Sequence, residues 1–151
     1  MAEKTEGSIT IDADPASIMA VIADYKAYPE WSDGIKEVEI VEPGSSGRAQ
    51  QVRFAVSAGP IEARYILAYE YLLEDRGVSW TYVEGSGGIK DLEGEYLLRP
   101  GDEGTEVTYR LAMDVSIPGP GFLKRKLMAE GEKRIIGTAL KGLKERVESI
   151  S

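Results

Sequence analysis

The chain predicts an α+β fold: a seven-stranded antiparallel sheet wrapped around a long C-terminal helix, with two short helices between strands 1 and 2. Three observations predict it. Seven stretches alternate apolar and polar residues with period two, as strands with one buried face do. The gaps between the later stretches are short and rich in Gly, Pro, Asp and Ser, which joins antiparallel neighbours. One long amphipathic segment closes the chain, and the only large apolar surface available to bury its stripe is the concave face of that sheet.

Taken in order, Ser8 to Asp12 alternates and reads as the first strand. Asp14-Pro15 then opens a helix, since Asp14 can cap free amides and Pro15 suits the first helical position. Ile18, Ile22 and Tyr25 recur at helical spacing until Pro29, and Glu30-Trp31-Ser32 forms a second short helical turn. Strands are expected over Ile35–Glu42, Arg48–Ala58, Ile61–Leu73, Val78–Glu84, Ile89–Arg99 and Glu106–Ser116. Turn signals separate them: Pro43 to Gly47, Gly59-Pro60, Asp75 to Gly77, Gly85 to Gly88, and Pro100 to Gly104. After Pro118-Gly119-Pro120-Gly121, the residues Leu123, Leu127, Ile136, Leu140, Leu143 and Val147 read as one apolar stripe on a helix of about seven turns. Gly131, Gly137 and Gly142 interrupt that helix, which suggests close packing or room for something beside it.

Alternation assigns the faces. Phe54 shares the inner phase with Val52 and Val56. Tyr65, Leu67 and Tyr69 follow on the next strand, then Trp80 with Tyr82, then Tyr96, then Tyr109 with Met113. The strand arginines Arg53, Arg64 and Arg110 fall on the outer phase among mostly acidic neighbours. An inner face that combines apolar walls with several tyrosine hydroxyls is what a ligand pocket presents. An enclosed space between sheet and helix is therefore expected. Tyr65, Leu67, Trp80, Tyr82, Tyr96, Tyr109 and Met113 should line it, with Phe54 and Tyr69 beside them and Leu123 and Leu127 facing them from the helix. Trp31 and Phe122 are expected to flank its door. The sheet itself offers no route, so access is placed between the Tyr28–Gly34 turn and the helix start.

Composition narrows the chemistry. The 151 residues contain no His and no Cys, so no disulfide, thiolate nucleophile or imidazole base is available. No clustered acids with metal-binding spacing occur, and no metal and no cofactor is expected. Gly85-Ser86-Gly87-Gly88 lacks the Lys-Ser/Thr of a phosphate loop and joins two strands, so it reads as a turn. Asp91, Glu93 and Glu95 share an outer strand face, where they protect the surface. No residue is assigned a catalytic role. The whole chain, 1–151 with a core from about residue 8 to 148, reads as a single domain.

Net charge is −8, and it is uneven: residues 122–151 carry +4 and the rest −12. An acidic body excludes nucleic acid as the main partner, because phosphate neutralisation drives that affinity. No apolar run is long enough to span a membrane. The N-terminus has acids and no apolar core of a signal peptide, so a cytoplasmic location is expected. Lys124-Arg125-Lys126 reads first as a solvated helix start. The alternative is a transient contact with anionic lipid, or with a ligand head group.

The string Asp24-Tyr25-Lys26-Ala27-Tyr28-Pro29-Glu30-Trp31, followed by Ile35, Val38 and Ile40, resembles the opening of the polyketide cyclase/dehydrase and lipid-transport family. That family lies in the START-like helix-grip superfamily (SRPBCC), with the coenzyme Q-binding proteins. Leu92 to Pro100 and Gly104 to Tyr109 resemble its paired late strands, and Pro118 with the long helix resembles its C-terminus. The resemblance covers Ser8 to Glu148. It implies a cavity between the sheet and the gripped helix, and a hydrophobic small molecule as partner: a lipid, an isoprenoid or quinone, or a polyketide-like aromatic. The chain is read as a carrier or sensor of such a molecule. Two alternatives stay open: an aromatic polyketide cyclase or dehydratase, and a protein-interaction module resembling the ribosome-associated toxins.

Overall fold

A computed structural model describes residues 4–45, 47–58, 61–116 and 119–150. The elements are β1 (Thr5–Ile11), α1 (Pro15–Ile22), a 3-10 turn (Tyr25–Ala27), α2 (Tyr28–Trp31), β2 (Ile35–Glu42), β3 (Gln51–Ala58) and β4 (Ile61–Tyr71). A second 3-10 turn (Leu73–Asp75), β5 (Gly77–Ser86), β6 (Ile89–Gly101), β7 (Gly104–Val115) and α3 (Gly121–Ile150) complete them. This is the expected α+β architecture. The sheet is antiparallel in the order β1-β7-β6-β5-β4-β3-β2. The first strand thus joins the last, and α1 with α2 must carry the chain from one sheet edge to the other.

Local chemistry sets the boundaries. Ser17 N–H donates to Asp14 Oδ1 at 2.8 Å, which caps α1. The bonds from Ser17 hold the Asp14 carboxyl below its usual range. β1 begins at Thr5, earlier than alternation indicates, because Thr5 through Ile11 find partners from Leu111 to Thr105. β4 ends at Tyr71, where Leu72 turns the chain into the second 3-10 turn. The outer face carries ion pairs: Arg53 with Glu39, Arg64 with Glu37, Arg110 with Glu6 and Lys4 with Glu95.

α3 packs chiefly on β1 and β7. Gly7 makes the approach close, since a Cβ there would lie 2.8 Å from Ile136 Cγ2. The core row of the helix is Ile136, Leu140, Leu143 and Val147, all buried. Leu123 and Leu127 do not belong to it and are 39% and 43% exposed. Helical geometry explains the correction. Leu127 and Ile136 are nine residues apart, two and a half turns at about 3.6 residues per turn, which puts them on opposite sides. The residue that continues the core row is Glu132, one turn before Ile136 and buried. Its carboxylate accepts from Thr5 Oγ1 at 2.6 Å and from the Met113 amide at 2.9 Å. It thereby ties the middle of the helix to both β1 and β7.

Leaning α3 towards β1 and β7 leaves the concave face of β3 to β6 uncovered by helix. The site lies there.

Candidate functional site: a tyrosine-lined cavity

A cavity of about 370 Å³ lies between the concave face of β3 to β7, the α2–β2 turn and the middle of α3. Its sheet wall follows the strand register. Phe54 pairs with Tyr65, Tyr69 with Trp80, Tyr96 with Tyr109, and Leu92 with Met113. Directly opposed residues share a face, so these pairs project together onto the concave side. Gly94 opposes Trp80, and a Cβ there would lie 2.7 Å from the indole, so only glycine lets the ring lie flat across β6. The aromatic rings touch edge to face: Trp80 with Tyr109 at 5.5 Å and 85°, Tyr96 with Tyr109 at 4.7 Å and 67°.

The hydroxyls divide into two sets. Tyr71 donates to the Ala49 carbonyl at 2.6 Å, so Tyr25, 2.8 Å from Tyr71, must be the donor of their shared bond. Tyr28 donates to the Ile22 carbonyl and Tyr82 to the Ile89 carbonyl. Tyr65, Tyr69, Tyr96 and Tyr109 have no hydrogen-bond partner among the described residues. None of these four hydroxyls is among the polar atoms sealed from solvent without a partner. They open into the cavity. Burial raises all four: Tyr65 is pushed up to about 12, and Tyr69, Tyr96 and Tyr109 stand well above the ordinary tyrosine value, helped by neighbouring tyrosines. Each is therefore a neutral donor at physiological pH.

Charge appears only where the cavity meets solvent. Asp33, Arg134, Ile135 and Thr138 line it and are also exposed, which marks the opening. The remaining walls include Ile22, Tyr28, Ile35, Val56, Leu67, Leu111 and Ala139.

A family model described as polyketide cyclase / dehydrase and lipid transport matches residues 2–148. The chain belongs to that family. Solved structures agree on the fold. A START superfamily protein from Mycobacterium smegmatis is 23% identical, with 99% of this chain and 100% of that chain covered and a TM-score of 0.82. A protein from Thermus thermophilus is 25% identical, with 98% and 99% covered and a TM-score of 0.85. The Zhui aromatase/cyclase from Streptomyces sp. R1128 is 16% identical, with 96% and 93% covered and a TM-score of 0.74. No curated protein matches the chain.

In this member of the family, Trp31, Phe54, Tyr65, Leu67, Tyr69, Trp80, Tyr96, Tyr109 and Met113 all line the cavity. Four residues expected there do not. Tyr82 shares the inner phase, but β5 and β6 pair only from Gly77 to Trp80, and beyond that Tyr82 turns its hydroxyl to Ile89 O at 3.1 Å. Phe122, 69% exposed, and Leu123 and Leu127 lie on turns of α3 away from the cavity. The helix side of the wall comes instead from Arg134, Ile135, Thr138 and Ala139, at mid-length. Sequence spacing missed these because only Ile135 is strongly apolar. The helix glycines also differ from one another. A Cβ at Gly142 would meet the Trp31 ring at 3.4 Å and one at Gly131 would meet Met113 Cε at 3.4 Å, both ordinary contacts, while Gly137 faces open space.

Proposed function

We propose that the domain binds a hydrophobic small molecule carrying a few oxygen atoms and acts as its carrier or sensor. A lipid, an isoprenoid or quinone, or a polyketide-like aromatic has the required chemistry. One observation carries the reading: four tyrosine hydroxyls without a partner among the described residues open into a mostly apolar cavity of about 370 Å³. That volume falls within the ~300–1,000 Å³ of small-molecule sites. Apolar walls supply affinity, and the neutral hydroxyls orient carbonyl or hydroxyl oxygens by donating to them.

A second reading is aromatic polyketide cyclisation or dehydration, favoured by the family and by the fold shared with an aromatase/cyclase. Phenol donors could stabilise a developing enolate. They are poor bases, however, because burial holds their protons at physiological pH. The binding reading asks less of the same residues.

Native mass spectrometry of freshly purified protein tests the proposal. A co-purified apolar molecule, displaced by a hydrophobic dye that fails to bind a Leu67→Trp variant, is the expected result. Absence of any bound mass, with no dye uptake by the native protein, would sink it. Turnover of a poly-β-ketone that one Tyr→Phe change abolishes while binding persists would replace it with the enzyme reading.

A further inference from the structure

We infer that the first half of α3 docks the cavity mouth onto an anionic lipid bilayer. Leu123, Leu127, Gly131 and Ile135 follow one another at spacings of four, which makes a continuous ridge on the helix surface. Its apolar members are 39%, 43% and 42% exposed, and Phe122 beside them is 69% exposed. Soluble domains seldom expose such a run unless something covers it. The ridge ends at the cavity: Ile135 lines the opening, and Arg134 stands beside it.

Charge selects the partner. Residues 122–134 hold five cations (Lys124, Arg125, Lys126, Lys133, Arg134) and two acids, Glu130 and the buried Glu132. This segment is +3, which leaves −11 on the rest of a chain of net −8. Lys124 pairs with Asp114 at 2.9 Å, while Arg125, Lys126, Lys133 and Arg134 form no ion pair among the described residues. An anionic surface attracts this segment and repels the remainder, so it orients the molecule with the mouth towards lipid. A basic helix with exposed Phe and Leu settles about 5–10 Å into the headgroup boundary. A second copy of the chain is a poorer occupant, because a two-fold contact would set +3 against +3. No helix among the described residues is long and apolar enough to cross a membrane, so the contact is peripheral.

The docking does not depend on the identity of the cargo, although its use in loading or unloading rests on the binding reading above. Co-sedimentation with extruded vesicles tests it, with phosphatidylcholine alone and phosphatidylcholine mixed with phosphatidylglycerol. Binding is expected to the mixed vesicles only, and to fall as salt is added. Arg125→Gln/Lys126→Gln/Lys133→Gln should weaken it on the order of 100-fold, since each cation near an anionic surface contributes about 1 kcal/mol. Leu123→Ser/Leu127→Ser should weaken it by about 10-fold or more through lost apolar burial. Neither variant touches the cavity, so both should keep the native melting temperature and take up a hydrophobic dye in vesicle-free buffer as the native chain does. Loss of dye uptake by the native chain would remove the cavity reading and leave the docking result standing. Equal binding to both vesicle types, no binding to either, or unchanged binding by both variants overturns the docking. So does a dimer in solution that the two serines dissolve.

Discussion

Two groups of tyrosines in one core behave in opposite ways. Beside α1, Tyr25 and Tyr71 form a closed chain that ends on the Ala49 carbonyl, and Tyr28 is closed onto Ile22 O. A few residues away, Tyr65, Tyr69, Tyr96 and Tyr109 are equally aromatic and leave their hydroxyls open. The difference lies in what the chain folds over them. The α1–α2 segment brings the Ile22 carbonyl and the Tyr25 hydroxyl to the first group, and the chain just before β3 brings the Ala49 carbonyl. α3 leans away from the second and contributes mainly Ile135, Thr138 and Ala139 at a distance. The same residue type is mortar in one region and a binding surface in the other. Stability and ligand affinity should therefore respond to different tyrosines.

The largest expected effect comes from alkali, which strikes both groups together. Burial raises Tyr25, Tyr96 and Tyr109 above the ordinary value, so the folded state holds protons that the unfolded chain releases near pH 10. A raised folded value means that the stabilisation is whole below pH 10 and fades as pH rises above it. For these three groups the slope is about 4 kcal/mol per pH unit, at about 1.4 kcal/mol each. Ultraviolet absorbance of phenolate followed beside circular dichroism should show these tyrosines ionising only as the fold is lost. Free titration near pH 10 with the fold intact would mean that their burial is shallow.

Next in size is Tyr71→Phe. It removes one acceptor and one donor, leaving Tyr25 Oη and Ala49 O unmet. Urea melts should show a loss of about 1–3 kcal/mol, the cost of stranding buried polar groups. Ligand or dye affinity should barely move. A change in affinity without a change in stability would erase the distinction between the two groups.

The strand phase is the most legible part of the chain. Trp80, Tyr96, Tyr109 and their neighbours on the wall sit at the cavity because period-two alternation is a local property that the pleat enforces. The misplacements differ in cause: that of Tyr82 depends on long-range strand pairing, that of Leu123 and Leu127 on the local phase of the helix. Tyr82 obeys its phase, yet the β5–β6 ladder stops at Trp80, and nothing in residues 81–93 announces that. Leu123 and Leu127 fall outside the core stripe because the gap before Ile136 rotates the helix by half a turn. Glu132 is legible in principle from its position one turn before Ile136. Its charge hides it, since a buried carboxylate is identified only by the Thr5 and Met113 donors that the fold brings to it.

Trp31 stands between the two tyrosine groups, 5.1 Å from Tyr28 and on the cavity wall. Its indole Nε1 is buried without a hydrogen-bond partner among the described residues, which offsets part of what its ring contributes. Trp31→Ala is therefore expected to lower stability by less than the about 3–5 kcal/mol of a core aromatic truncation. It widens the wall beside the α2–β2 turn, so stopped-flow release of a bound dye should quicken. A loss of about 3 kcal/mol or more with unchanged release would make Trp31 part of the mortar and move the door elsewhere.

The smallest effect is the sharpest discriminator. In Tyr96→Phe the ring stays and keeps its contacts with Tyr109 and Trp80, while the hydroxyl that goes has no partner among the described residues to strand. Stability should hold to within about 0.5 kcal/mol, or rise slightly, because a polar atom leaves an apolar wall. Affinity for an oxygen-bearing ligand should fall about fivefold, the equivalent of the about 1 kcal/mol net worth of one neutral hydrogen bond. A hydrocarbon of the same shape should bind equally to both proteins, since it offers Tyr96 nothing to donate to. Isothermal titration of the matched pair of ligands against native and variant protein reads both arms. Equal loss for both ligands would mean that the hydroxyl shapes the wall rather than orients a guest, and the cavity would then select by size alone.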